Sequence, residues 1–327
     1  HEGWSPTAET DMAISFMSEH KDKQPNDPFA LFVSWRPPHW PYPQYPDEYD
    51  TYDPADIDLP GNVPRQMEDF ARREIADYYG ACTGLDAEMG RLLATLEDLD
   101  LADDTIVCYS SDHGDHLSSH GYGKPGDMWL HHSMRASKAT PYDESAHVPF
   151  LIRWPGGTPP GSRSSEFMGA IDIVPSLISA CGVAAPEGLQ GRDVTAAWRG
   201  ESSVVPEHTP GGNESVYLMN MANGWPNRTH WMGRWRGVRT ERYMYARWFD
   251  NERGPWLFDR QEDPLEMRNL IGSAEARPAV EEMEGRLHRW MEATRDPFES
   301  GKRGPRGFLE VGQKWANPDQ YKDWGTS

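Results

Sequence analysis

Asp112 and His113 stand side by side at the end of a short apolar run, Thr105-Ile106-Val107-Cys108-Tyr109-Ser110-Ser111, and are followed by Gly114-Asp115. A carboxylate beside an imidazole at a strand end can hold a metal ion or a reacting group. Thr, Ile, Val and Tyr favour a strand, and a brief continuous run stopping at polar residues and Gly fits a central parallel strand. Open α/β sheets place their ligands beyond the carboxyl ends of such strands. The other reading is a capped turn, in which Asp112 accepts only from backbone N–H groups.

Histidine supplies a second candidate. His39 lies between Pro38 and Trp40-Pro41, where prolines restrict the backbone and hold the ring in one direction. An imidazole so held suits a general acid working near neutral pH, the other reading being a surface histidine in a proline loop. His113, His116, His120, His131 and His132 fall within 20 residues. No Cys and no regular spacing turn that group into a zinc cluster, so His116 and His120 read as rim residues and substrate contacts. Two lysines, Lys124 and Lys138, offer ammonium groups that can bind an anion. A Trp-rich stretch, Asn223 to Trp231, holds Arg228 and His230, and reads either as a sugar-stacking loop or as packing.

These residues need elements to position them. Residues 7–23 carry Met12, Ala13, Phe16 and Met17 at helical spacing. Residues 29–35 read as a strand leading to His39. Residues 37–64 contain eight prolines and read as an irregular surface loop. Residues 65–98 place Phe70, Ile75, Tyr78, Cys82, Leu85, Met89 and Leu96 on one stripe, a long helix with Gly80 or Gly84 as points of bending. Residues 150–154 read as another strand and residues 172–180 as a helix ended by Gly182. Residues 202–212 are polar and rich in Pro and Gly, a boundary. Beyond it, residues 215–220, 235–240, 242–248 and 256–258 read as an antiparallel sheet, and residues 278–294 as a helix with Pro278 in its first turn. Residues 296–327 show no regular pattern and read as a wrapping arm or a disordered tail.

Taken in order, the motifs resemble the sulfatase family of the alkaline phosphatase superfamily. The residues that carry the likeness are Asp112-His113-Gly114-Asp115, then Ser119-His120-Gly121, then Lys138 before Tyr142-Asp143-Glu144-Ser145, then Val148-Pro149. Upstream stands Pro38-His39-Trp40-Pro41. Downstream stand Arg236-Gly237-Val238-Arg239-Thr240, Leu257-Phe258-Asp259, Asp263-Pro264 and Asn269-Leu270. The resemblance implies an alkaline phosphatase-like α/β sheet flanked by helices, with a smaller C-terminal α+β subdomain built on an antiparallel sheet. Residues 1–200 would be the C-terminal part of the catalytic domain, and 201–327 the subdomain with its packing helix and tail. It also implies a sulfuric ester hydrolase acting on a sulfated carbohydrate or aryl sulfate.

By the same resemblance Asp112 and His113 would ligate Ca²⁺, although imidazole also suits Mn²⁺ or Zn²⁺. His39 would contact the ester and protonate the leaving oxygen. Lys138 would bind sulfate oxygens, and its spacing before Tyr142 favours it over Lys124, which stays a substrate-binding candidate with His116 and His120. Sulfatases carry an early pair of aspartates and a Cys-x-Pro-Ser-Arg motif whose Cys becomes formylglycine, the nucleophile. Cys82, Cys108 and Cys181 stand in no such motif. The expectation is therefore a carboxyl-terminal portion with an incomplete Ca²⁺ site, inactive by itself. A phosphodiester or phosphonate hydrolase of the same superfamily, or a non-catalytic remnant that binds sulfated glycans, are the other readings. The family resemblance favours a periplasmic or secreted location.

Composition sets bounds. The formal net charge of −20 argues against nucleic acid as a partner. It also opposes a sulfate ester globally, although a metal and a few local cations can reverse the field within a site. Mean hydropathy is low at −0.78, and the 14 Trp and 13 Tyr compensate by burying large areas. No apolar run approaches the roughly 20 residues needed to span a bilayer. Three widely spaced cysteines suggest neither disulfides nor a zinc site, and read as core thiols.

Overall fold

The computed structural model describes residues 3–122, 134–201, 214–221, 233–248, 254–296 and 298. Lys124, His131, His132, residues 223–231 and the tail from 299 lie outside them. The chain forms two compact units, one from residues 1–138 with 148–156 and one from 139–147 with 157–327.

In the first unit, α1 (Ser5–Lys23) packs on α2 (Glu68–Asp98). Pro6 starts α1 where its missing N–H costs nothing. Of the expected stripe, Ala13 and Met17 are buried while Met12 and Phe16 are exposed. The Thr7 hydroxyl donates to Glu88 across the pair at 2.7 Å, and Arg91 bridges Glu88 and Asp11. Glu68 and Asp69 sit in the first turn of α2, where carboxylates complement the helix dipole. Gly80 and Gly84 serve close approach. A Cβ at Gly84 would lie 2.6 Å from the Trp4 ring, and one at Gly80 2.7 Å from the Tyr45 ring.

β1 (Val107–Ser110) pairs with β2 (Phe150–Arg153), with Val107 opposite Arg153 and Ser110 opposite Phe150. The pairing is antiparallel, which corrects the parallel reading of this strand. β1 is half-buried in a two-stranded ladder among the described residues, so it is not the expected central strand either; a continuous apolar run fixes neither the number nor the sense of its neighbours. Residues 29–35 are not a strand: they have no ladder partner among the described residues, and Phe32 is 87% exposed. β-propensity alone cannot supply a partner.

The second unit centres on a four-stranded antiparallel sheet in the order β3 (Val216–Asn220), β4 (Trp235–Arg239), β5 (Tyr243–Trp248), β6 (Trp256–Asp259). A long helix, Arg277–Ala293, covers one face. Val238, Tyr245 and Leu257 meet Met283, Leu287, Trp290 and Met291 there. On the other face Trp235, Met244, Ala246, Trp248 and Phe258 form a second cluster with Tyr142. Arg236 is 1% exposed in β4 and is neutralised by Asp296 through two bonds of 2.7 and 3.1 Å. Tyr217 donates to the same carboxylate at 3.0 Å.

Two one-turn helices, Asp143–Ala146 and Thr195–Trp198, were not legible in the sequence. The helix Ala170–Ala180 turns the usual pattern inside out. Asp172 and Ser176 are buried, with Asp172 accepting from the Gly169 and Arg192 backbone N–H groups at 2.9 and 2.7 Å. Ile171 and Val174 are exposed. The cysteines form no disulfide. Cys82 and Cys108 are half-buried, while Cys181 is exposed and so is not a core thiol. No helix among the described residues is long and apolar enough to cross a membrane.

Candidate functional site

The first unit brings the sequence candidates together in two pairs. Lys138 Nζ donates to His39 Nε2 at 2.8 Å, joining residues 99 positions apart. The other ring nitrogen of His39, Nδ1, lies 2.7 Å from the Trp40 carbonyl oxygen and must carry the proton to donate to it. The two bonds thus define one tautomer, a neutral imidazole whose Nε2 accepts from an ammonium. His39 is exposed and Lys138 half-buried, so both ends of this pair are within reach of a ligand. Burial pushes the Lys138 pKa down, and the Asp115 and Asp112 carboxylates oppose that shift.

The second pair is Asp112 and His113. Asp112 Oδ1 accepts from the His113 backbone N–H at 2.9 Å, the capped-turn geometry. Its Oδ2 lies 3.4 Å from His113 Nε2. His113 Nδ1–H donates to the Gly114 carbonyl at 2.8 Å, which leaves the Nε2 lone pair facing the carboxylate. Cap and metal-ligand readings are therefore compatible, because each uses a different oxygen of Asp112. The Asp112 side chain is 84% exposed. The donors suit a metal, since a carboxylate oxygen and an oriented imidazole nitrogen stand 3.4 Å apart. They can form only part of a Ca²⁺ shell of six to eight donors. Among the described residues, no group of three or more His, Cys, Asp or Glu converges to hold an ion.

Residues that the sequence reading passed over link these pairs. Tyr42 is 1% exposed. Its hydroxyl donates to Asp115 Oδ2 at 2.8 Å and accepts from the Ala136 N–H at 2.9 Å. Asp115 Oδ1 accepts from the Leu117 N–H at 3.1 Å. Burial raises the Asp115 pKa, while the Leu117 and Tyr42 hydrogen bonds and then the Lys138 charge hold it down. Burial, followed by the Asp115 charge and hydrogen bond, pushes the Tyr42 phenol far up, so it stays protonated. Arg135 lies between the rings of Trp40 and Phe70, at 5.1 and 5.5 Å, and pairs with Glu74 at 3.3 Å. Burial raises Glu74 to about 7 against the pull of Arg135. The signals were present: Asp115 closes the quoted motif, and Tyr42 is a phenol three residues after His39.

His116 and His120 are placed differently from expectation. His116 is 1% exposed, inside the core rather than on a rim, because its backbone N–H donates to the Ser137 carbonyl and draws it under residues 134–138. His120 is half-buried and tied to Asn62, which accepts its backbone N–H at 2.9 Å and donates an amide N–H to its Nε2 at 3.1 Å. The two rings meet edge to face at 6.0 Å. Leu117, Ser118, His120, Met134 and Ala136 all adopt positive φ, five of nine such non-glycine residues described. Left-handed backbone costs L-residues roughly 1–2 kcal/mol each and gathers where function over-determines structure.

Comparison with known proteins follows the same lines. The family profile described as Sulfatase matches residues 3–183, and that of N-sulphoglucosamine sulphohydrolase, C-terminal, matches residues 135–293. An ulvan-active sulfatase of Formosa agariphila is 30% identical over 303 residues, covering 91% of this chain and 54% of its own length. An endo-4-O-sulfatase of Bacteroides thetaiotaomicron is 27% identical, covering 91% of this chain and 58% of its own. The chain thus spans a little over half the length of these relatives. Two solved structures share the fold. One, in complex with its substrate D-glucosamine-2-N,6-O-disulfate, gives a TM-score of 0.77 at 19% identity, over 91% of this chain and 72% of the other. The other, a phosphonate monoester hydrolase of Silicibacter pomeroyi, gives 0.69 at 21%, over 87% and 60%. The fold is alkaline phosphatase-like α/β, with the four-stranded antiparallel sheet in its C-terminal part.

Proposed function

Because the chain belongs to the sulfatase family, we propose that it is the part of a sulfuric ester hydrolase that grips the ester and serves its leaving group. Residues 1–200 would belong to the catalytic α/β domain and 201–327 to the antiparallel-sheet subdomain. The observation that carries the reading is the Lys138–His39 bond of 2.8 Å. It joins a sulfate-binding cation to an acid–base group in the unit that also holds Asp112 and His113.

Lys138 binds sulfate oxygens by its ammonium, which gains strength as charge builds on them while the S–O bond breaks. His39 is fixed by Trp40, so only Nε2 can face the ester. His39 would serve the leaving oxygen once Nε2 takes up a proton, which it can do when the ester draws the Lys138 ammonium off Nε2 and onto its sulfate oxygens. Asp112 and His113 are the residues that would hold Ca²⁺, which would neutralise sulfate charge as a Lewis acid. His120, and Lys124 outside the described residues, are substrate-binding candidates; His116 would act through His120. No cysteine of these 327 residues stands in the motif whose Cys becomes formylglycine, so none of them is offered as the nucleophile. The substrate class favoured is a sulfated carbohydrate, by likeness to the ulvan-active sulfatase and the endo-4-O-sulfatase. The fold shared with the phosphonate monoester hydrolase supports a second reading, a phosphonate or phosphodiester hydrolase with the same cation logic.

The test is titration of the chain with paired sulfate and phosphonate esters of one sugar, followed by NMR at His39 and Lys138. Preference for the sulfate ester, lost in Lys138→Ala, is expected. Preference for the phosphonate moves the assignment to the second reading. Sulfated-glycan binding untouched by Lys138→Ala and His39→Ala would make the chain a binding remnant. Turnover of an aryl sulfate by the pure chain would mean that it holds its own nucleophile.

A further inference from the structure

We propose that Tyr42 is the positioning residue of this site: its hydroxyl fixes where the His39–Lys138 pair stands relative to Asp112 and His113. The hydroxyl touches the motif of Asp112 and His113 through Asp115 Oδ2 at 2.8 Å. It touches the run that ends in Lys138 through the Ala136 N–H at 2.9 Å. Its own backbone belongs to the loop of His39, three residues away. One oxygen therefore joins the three segments that supply the candidate residues.

Each link is saturated. The phenol proton goes to Asp115, and a lone pair takes the Ala136 N–H. The remaining Asp115 oxygen is occupied by the Leu117 N–H. Tyr42 is 1% exposed, so water cannot readily replace a lost partner. Its ring is braced edge-on against Tyr78, with centroids 5.8 Å apart. A second staple joins the run ending in Lys138 to the loop of His39, with Arg135 over the Trp40 ring at 5.1 Å. Lysine has a long flexible stem, so a 2.8 Å contact to His39 persists only when both backbones are held. Arg135 clamps the loop by a broad, direction-tolerant contact. The Tyr42 hydroxyl adds two directional bonds, and those set register.

The consequence for catalysis rests on the proposed function, but the test does not. In the full chain labelled with ¹⁵N, the ring nitrogen shifts of His39 report acceptance by Nε2, and Lys138→Ala gives the signature of its loss. Tyr42→Phe keeps the ring and removes both bonds. Its His39 spectrum is expected to move at least halfway to that of Lys138→Ala, while amides of α2 stay in place. Tyr45→Phe, which cuts a 3.2 Å bond to Asp77 elsewhere in the same loop, is the control for simple destabilisation and should leave His39 unmoved. Should Tyr42→Phe not fold, Asp115→Leu cuts one of the two bonds with the phenol in place and is read the same way. A wild-type His39 spectrum in either folded variant overturns the proposal. Inorganic sulfate titrated into wild type is the separate arm. No binding there, with the Tyr42 dependence intact, sinks the proposed function and leaves the positioning role standing.

Discussion

Lys138 Nζ lies 2.8 Å from His39 Nε2, and Nδ1 of the same ring lies 2.7 Å from the Trp40 carbonyl oxygen. A lysine ammonium and a protonated imidazole could not share that contact, so the pair carries one positive charge where two cationic side chains stand.

Lys138→Ala should weaken binding of a sulfate ester by about 10-fold or more, since a hydrogen bond to a charged group contributes roughly 1.5–3 kcal/mol. His39→Ala should weaken it less, because imidazole is the neutral partner. Calorimetric titration of a sulfated monosaccharide into each variant measures both. Equal losses would mean that His39 carries charge in the bound state.

Ca²⁺ should bind weakly, because Asp112 brings the one carboxylate of the pair and affinity follows ligand charge. Asp112→Ala should abolish what binding there is. A Kd on the order of 10⁻⁷ M or below that survives Asp112→Ala places the ion elsewhere.

Stability should fall as pH rises from about 4.5 to about 8. Burial, then the neighbouring Asp143 charge, raises Glu266 to about 8, against the Asp143 N–H bond and Arg260. A carboxyl whose folded pKa lies above its unfolded value holds more protons when folded across that window, so raising pH favours unfolding. Glu74, raised to about 7, acts in the same direction. Urea denaturation at pH 5 and pH 8 checks this. Glu266→Gln should flatten the difference, and an unchanged slope would assign the dependence to other groups.

Asp296→Ala should destabilise the second unit by about 3–5 kcal/mol, because it strands a buried guanidinium. Arg236 is 1% exposed, and Asp296 supplies the carboxylate that neutralises it. A loss below about 1 kcal/mol in chemical denaturation would show that Arg236 finds another anion or water.

The elements that stood out in the sequence are those whose pattern is set by one partner face. The strands around Val238, Tyr245 and Leu257 alternate against the helix of Met283 and Leu287, and their spacing revealed both. The candidates His39, Asp112, His113 and Lys138 stood out by residue type and by the motifs around them, and the structure sets Lys138 against His39 and Asp112 against His113. What could not be read depends on neighbours distant in sequence. Residues 29–35 have strand composition without a partner, and β1 takes its sense from β2. His116 looks like any motif histidine until its backbone bond to Ser137 buries it. Tyr42 acts through one hydroxyl, which leaves no periodic trace.

The helix Ala170–Ala180 keeps Asp172 inside while Ile171 and Val174 face out at 52% and 49% exposure. Its colloidal behaviour follows. A chain of net charge −20 repels its copies over a Debye length, about 10 Å at 0.1 M salt and about 3 Å at 1 M. Exposed apolar side chains attract only near contact, and salt does not screen them. The preparation should therefore stay dispersed at low ionic strength and associate as salt is added, the reverse of a protein held together by ion pairs.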